Sequence, residues 1–106
     1  MSHKFPAIED VLKSNHSILN KCKNREQQIK TLEKILNKNY RTMLPKYYIS
    51  KIFKIKPYKY ENYIISGEFP SLIIGNRISI KTSCFAPLIL SQYKKLLEVI
   101  HTNDIK

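Results

Sequence analysis

The chain has 106 residues and 12.5 kDa, enough for one compact domain and too little for two ordinary ones. It carries 19 basic and 8 acidic residues, a formal charge of +11, which favours a polyanionic partner, nucleic acid before a membrane surface. No apolar run approaches the roughly 20 residues of a membrane span, no secretory signal follows Met1-Ser2-His3-Lys4, and two cysteines 62 positions apart offer neither a disulfide framework nor a zinc ribbon, so a cytoplasmic setting is expected.

In chain order, the first predicted element is a short helix opened by Pro6, with Glu9 and Asp10 at its positive end and Ile8, Val11 and Leu12 as its apolar face. The polar cluster Ser14-Asn15-His16-Ser17 either breaks this helix or caps the next. A long helix is predicted from Ser17 to Leu44, ended by Pro45. Its stripe is Ile18, Cys22, Ile29, Leu32, Leu36, Tyr40 and Met43. Lys23, Lys30, Lys34, Lys38 and Arg41 are spaced to lie together on the opposite side. Ile49, Phe53 and Ile55 share one parity against Lys54 and Lys56, which predicts a half-buried strand that Pro57 confines to a sheet edge. Residues 58–63 extend that strand or form a loop, and Ile64-Ile65 is a further strand candidate. Gly75-Asn76 is a two-residue turn joining strands at Leu72–Ile74 and Ile78–Thr82. A closing helix runs from Ser83 or Ala86 to His101, with Ser83 as cap and Pro87 in its first turn. The expected fold is α+β over residues 1–106 as a single domain, with two long helices on one face of a small antiparallel sheet.

Catalytic chemistry finds little support. Glu9 and Asp10 point about 100° apart on a helix, and His3, His16 and His101 lack ligand spacing. Cys22 falls on the apolar stripe, and Cys84, near a helix start, has no histidine close in sequence. With Gly67 and Gly75 the only glycines, there is no phosphate-binding loop. We expect no enzyme activity, metal or cofactor.

The charge map is more telling. Isoleucine, lysine, asparagine and tyrosine make up 47 residues, all with A/T-rich codons, so codon drift accounts for part of the lysine. It does not account for placement: residues 1–20 are neutral, residues 61–106 sum to +1, and residues 21–60 carry +10. Bases alternate there with aromatics, which suits phosphate neutralisation combined with base stacking. The candidate contacts are Lys23, Lys30, Lys34, Lys38 and Arg41, a second track of Lys51, Lys54, Lys56 and Lys59, and Tyr58 or Tyr60 as a stacking ring. Tyr40, Phe53 and one of Tyr47 and Tyr48 read equally as core residues, with the lysines as ordinary solvated surface. Three arginines are too few to imply sequence-specific readout.

These residues resemble the DciA family of bacterial proteins, which help place the replicative helicase DnaB on DNA. The resemblance rests on Val11-Leu12-Lys13, the helix with Ile18, Leu32 and Leu36, Met43-Leu44-Pro45, the segment Ile49–Ile55, Ile78 through Ala86, and Leu90 and Tyr93 through Leu96-Leu97. It implies a KH-like fold, single-stranded DNA as the favoured nucleic acid and DnaB as a partner. Phe85 stands where the family has tryptophan, residues 61–75 resemble an insertion, and the chain ends where the family's last strand would begin. No Gly-x-x-Gly loop is present, so the KH clamp on a nucleic-acid backbone does not carry over. The rival readings are an RNA-binding or ribosome-associated module, and a protein-interaction domain whose lysines reflect codon bias.

Overall fold

The computed structural model describes residues 5–97. Helix α1 (Ile8–Ser14) buries Ile8, Val11 and Leu12, the predicted face, and holds Glu9 and Asp10 in its first turn. Pro6 lies just before the helix, and its carbonyl accepts the Tyr40 hydroxyl at 2.8 Å. Asn15 ends α1: its amide donates to the Val11 carbonyl at 2.8 Å, and α2 (His16–Asn20) follows.

The long helix predicted from Ser17 to Leu44 is broken in two. Between α2 and α3 (Arg25–Asn39) lies a turn held by side chains. The Asn24 carboxamide accepts from the Gln27 N–H at 2.8 Å, and Gln27 accepts in return from the Lys23 N–H at 2.7 Å. This variant of the capping box satisfies donors that a continuous helix would have paired internally. Buried Gln28 closes the break by donating to the Leu19 carbonyl at 3.1 Å. Apolar spacing could not reveal the interruption, because Ile18, Cys22 and Ile29 keep helical intervals across it. Ile18 is in fact exposed, and Leu19 takes its place in the core. Asn24→Ala is expected to cost about 1 kcal/mol, read as a lower midpoint in thermal unfolding.

At its far end α3 stops at Asn39, five residues short of Leu44, because Met43–Pro45 form strand β1. The segment 49–55, predicted as a strand, is instead mostly helix α4 (Lys46–Phe53). Ile49 and Phe53, four apart, satisfy either period, and in the helix both are buried against the elements that cover them. Lys54 ends α4 in the left-handed region at φ 57°, and buried Ile55 follows. A 3-10 turn (Pro57–Lys59) and α5 (Glu61–Ile65) take up the segment left open as strand or loop, and place Ile64-Ile65 in a helix.

The predicted hairpin forms from β2 (Ser71–Ile74) and β3 (Arg77–Lys81), with Gly75 at φ 65° in the turn. The sheet is antiparallel in the order β1-β3-β2. Leu44 faces Ile80 across the β1–β3 pair, and both are fully buried. A 3-10 turn (Thr82–Phe85) leads into α6 (Ala86–Gln92), which Pro87 opens. Ser83 is buried in that turn and makes no side-chain cap. The closing helix is shorter than expected: α6 spans seven residues and stops at Gln92, with residues 93–97 in turns. α3 is thus the one long helix among the described residues rather than one of two, and the predicted stretch from 98 to His101 lies outside them. The chain is therefore α+β, with six α-helices among the described residues and one three-stranded sheet. One hydrophobic cluster joins Leu12, Leu32, Leu36, Leu44, Phe53, Ile80, Phe85 and Ile89.

Candidate nucleic-acid interface

On α3, Lys30, Lys34 and Lys38 follow one another at intervals of four and share the exposed face, while Leu32, Ile35 and Leu36 face inward. Lys23 stands in the turn before the helix, yet it lines one groove with Lys30 and Lys34, together with Asn24, Gln27 and Thr31. The Gln27–Lys23 hydrogen bond fixes that turn. Glu26 also borders the groove, 3.7 Å from the Lys30 ammonium, with both side chains more than two-thirds exposed. An ion pair so long and so wet contributes little and leaves the local charge positive. Arg41 is exposed two residues beyond the end of α3.

The second predicted track is divided. Lys51 and Lys56 are exposed, on α4 and just after it. Lys54 reaches the Glu9 carboxylate at 3.0 Å, tying the end of α4 to the first turn of α1. Lys59 contacts the Gln92 side chain at 3.4 Å, while Gln92 donates to the Lys54 carbonyl at 2.6 Å. Lys54 thus acts as a strut between elements. Its ammonium, followed by the Glu9 backbone N–H, holds the Glu9 carboxyl below the ordinary carboxylate value. A depressed folded-state pKa means that this stabilisation is present above the unfolded-state value and lost as pH falls through the folded one. Lys54→Gln should raise the Glu9 titration midpoint toward the ordinary value, as followed by NMR, with less residual acid stability. An unmoved midpoint would contradict the strut.

Of the two candidate stacking rings, Tyr58 is 68% exposed and Tyr60 is fully buried. Tyr60 is corrected to a core residue. Its hydroxyl meets Ser50 Oγ at 2.5 Å, and its ring lies edge-on to Phe85 at 5.2 Å. The expectation that Tyr40 and Phe53 are core holds, since both are buried with ring centroids 5.3 Å apart. Burial pushes the Tyr40 phenol far above its ordinary value and keeps it a donor to Pro6.

The candidate residues omit Tyr47 and Arg77. Tyr47 is 55% exposed and stacks on half-buried Tyr48 at 4.5 Å. The Arg77 guanidinium lies 6.0 Å from the Tyr47 ring centre, at the limit of a cation–π contact. Both line an open groove with Pro45, Pro57 and Lys46, whose ammonium pairs with Glu61 at 3.1 Å. Reading 46–53 as a helix would have directed one tyrosine outward. Arg77 could not be found from charge density, since it lies outside the basic segment.

Groups able to act chemically are sparse. Burial raises the Cys84 thiol above its ordinary value, which opposes thiolate formation, and Cys22 Sγ lies 3.5 Å from the Ile18 carbonyl and from Thr31 Oγ1. Among the described residues, no three His, Cys, Asp or Glu side chains gather as a metal site, and no helix is long and apolar enough to cross a membrane. No family model, no curated protein and no solved structure matches the chain.

Proposed function

We propose that the protein is a non-enzymatic nucleic-acid-binding accessory protein with single-stranded DNA as its favoured ligand. The observation that carries this reading is the α3 face, where Lys23, Lys30 and Lys34 line one groove and Lys38 continues the row. Three cations along one side of a helix and a fourth in the turn that precedes it match a polyphosphate strand better than a compact anion. Arg41, exposed beyond the end of α3, adds a fifth cation, and exposed Tyr58 supplies a ring for an unpaired base. Lys51 and Lys56 are secondary contacts, and Lys54 and Lys59 act first within the fold. The resemblance to DciA extends the proposal to a KH-like arrangement, to cytoplasmic placement and to loading of the replicative helicase DnaB onto DNA.

The test is the salt dependence of affinity for a short single strand. Five neutralised phosphates predict a slope of about −3.5 for log affinity against log salt. Absence of binding at low salt overturns the reading, and competition by structured RNA over single-stranded DNA redirects it to RNA. Co-purification with the replicative helicase tests the loading role separately.

A further inference from the structure

Among the described residues, β2 pairs with β3 on one side and ends the sheet on the other. The phase of its hydrogen bonds follows from the Lys81 N–H, which donates to the Pro70 carbonyl at 3.0 Å. Ser71 lies opposite Ile80, Leu72 opposite Ser79 and Ile74 opposite Arg77. Since bonded and non-bonded pairs alternate, Leu72 and Ile74 turn their N–H and C=O groups toward β3. Ser71 and Ile73 turn theirs outward. Every residue of β2 is exposed: Leu72 by 52%, Ile73 by 67% and Ile74 by 65%. Leu72 and Ile74 occupy one face of the hairpin and Ile73 the other, so apolar surface flanks the open edge on both sides.

Soluble proteins commonly blunt such an edge with lysine, proline or a covering element. This chain has 19 basic residues, yet it places none between Lys59 and Arg77, where Glu61 and Glu68 are the only charges. That distribution makes the edge a poor seat for a polyanion. It also makes it the stretch through which two copies, each at +11, approach with least repulsion.

We propose that β2 is a homodimer interface, in which two copies pair their β2 edges antiparallel about a two-fold axis and join their sheets into one of six strands. The outward groups are self-complementary: with the axis at Leu72, Ser71 of one copy exchanges hydrogen bonds with Ile73 of the other. The antiparallel sense brings the Glu68 end of each strand toward the turn end of the second copy, where Arg77 stands, so opposite charges approach at both ends. Three aliphatic side chains per copy, at about 100 Å² each, give an apolar contact below the standard interface size. The dimer is accordingly weak and concentration-dependent.

Sedimentation equilibrium of the full chain, without nucleic acid, tests this. The weight-average mass should rise from 12.5 kDa toward twice that value between about 10 μM and about 1 mM. Added salt should strengthen the association, because it screens the repulsion between two basic bodies, whereas it weakens nucleic-acid binding. The two ideas therefore fail independently. Ile73→Pro removes an N–H that points away from β3, so the hairpin keeps its own bonds while dimerisation falls at least tenfold. Ile73→Lys, which charges the same edge, should act alike and serves if the proline variant does not fold by circular dichroism. The Ser71 and Ile73 amides should gain exchange protection on concentration. A monomer throughout the range, or a folded Ile73 variant that dimerises like the parent, overturns the proposal.

Discussion

Phe85→Ala is expected to lower stability by about 3–5 kcal/mol, the largest effect of any single truncation considered for this fold. Phe85 is fully buried in the turn between β3 and α6. Its ring lies 5.2 Å from Tyr60 and 5.0 Å from Phe69, edge-on to both, and 6.0 Å from Phe53. These three neighbours come from α4, from the start of α5 and from the approach to β2, so one side chain fastens the helical layer to the hairpin. Truncation removes the transfer free energy of the ring and leaves a cavity that three other aromatic rings are too rigid to fill. Against a typical domain stability of about 5–15 kcal/mol, this is about a fifth of the total or more. The urea midpoint should fall by about 1–5 M with little change in slope. Phe85→Trp, which puts a larger indole in the same place, should also destabilise, by about 1–3 kcal/mol, because the enclosed site has no room for a second ring. A loss below 1 kcal/mol for the alanine variant would show that the aromatic junction does not hold the layers together.

The parts of this fold that were legible in the sequence are those fixed by local chemistry. The Gly75-Asn76 turn requires a positive φ that glycine supplies at low cost, and both flanking strands follow from it. Ile8, Val11 and Leu12 are spaced so that only a helix buries all three. What could not be read depends on contacts distant in the chain. Whether Ile49 and Phe53 share a strand or a helix is decided by the elements that cover them, since a spacing of four serves both periods. The α2–α3 break depends on Gln28 reaching back to the Leu19 carbonyl, and hydrophobic periodicity does not register a buried polar anchor. Tyr60 illustrates the same limit at the candidate site. Basic neighbours in sequence made it a plausible stacking ring, while Phe85, twenty-five positions later, encloses it. The α3 lysines were legible because helical geometry alone places Lys30, Lys34 and Lys38 on one face. The role of Lys54 was not, because Glu9, its partner at 3.0 Å, belongs to the first helix.

The second large effect concerns that face. Replacing Lys30, Lys34 and Lys38 together by glutamine should weaken single-stranded DNA binding about 100-fold near 0.1 M salt, with the fold intact. Each lost phosphate contact removes about 0.7 from the salt slope, so three remove about 2, and at 0.1 M that corresponds to two decades in affinity. The variant should still fold. All three side chains are exposed, glutamine is nearly as good a helix former as lysine, and the substitutions relieve like-charge repulsion at intervals of four. Among the described residues, the ion pair lost with them is the long Lys30–Glu26 contact. A matched control is Lys51, Lys54 and Lys56 to glutamine, which removes the same charge from residues at and beyond the end of α4. If binding reflects net charge alone, the two triple variants lose affinity equally and their slopes fall together. If the α3 row grips the strand, the first variant loses far more, while the second shows its main effect on stability through the missing Lys54–Glu9 contact. Filter-binding or fluorescence-anisotropy titrations at three or more salt concentrations separate these outcomes, because a local contact changes the slope and a diffuse field changes both variants alike.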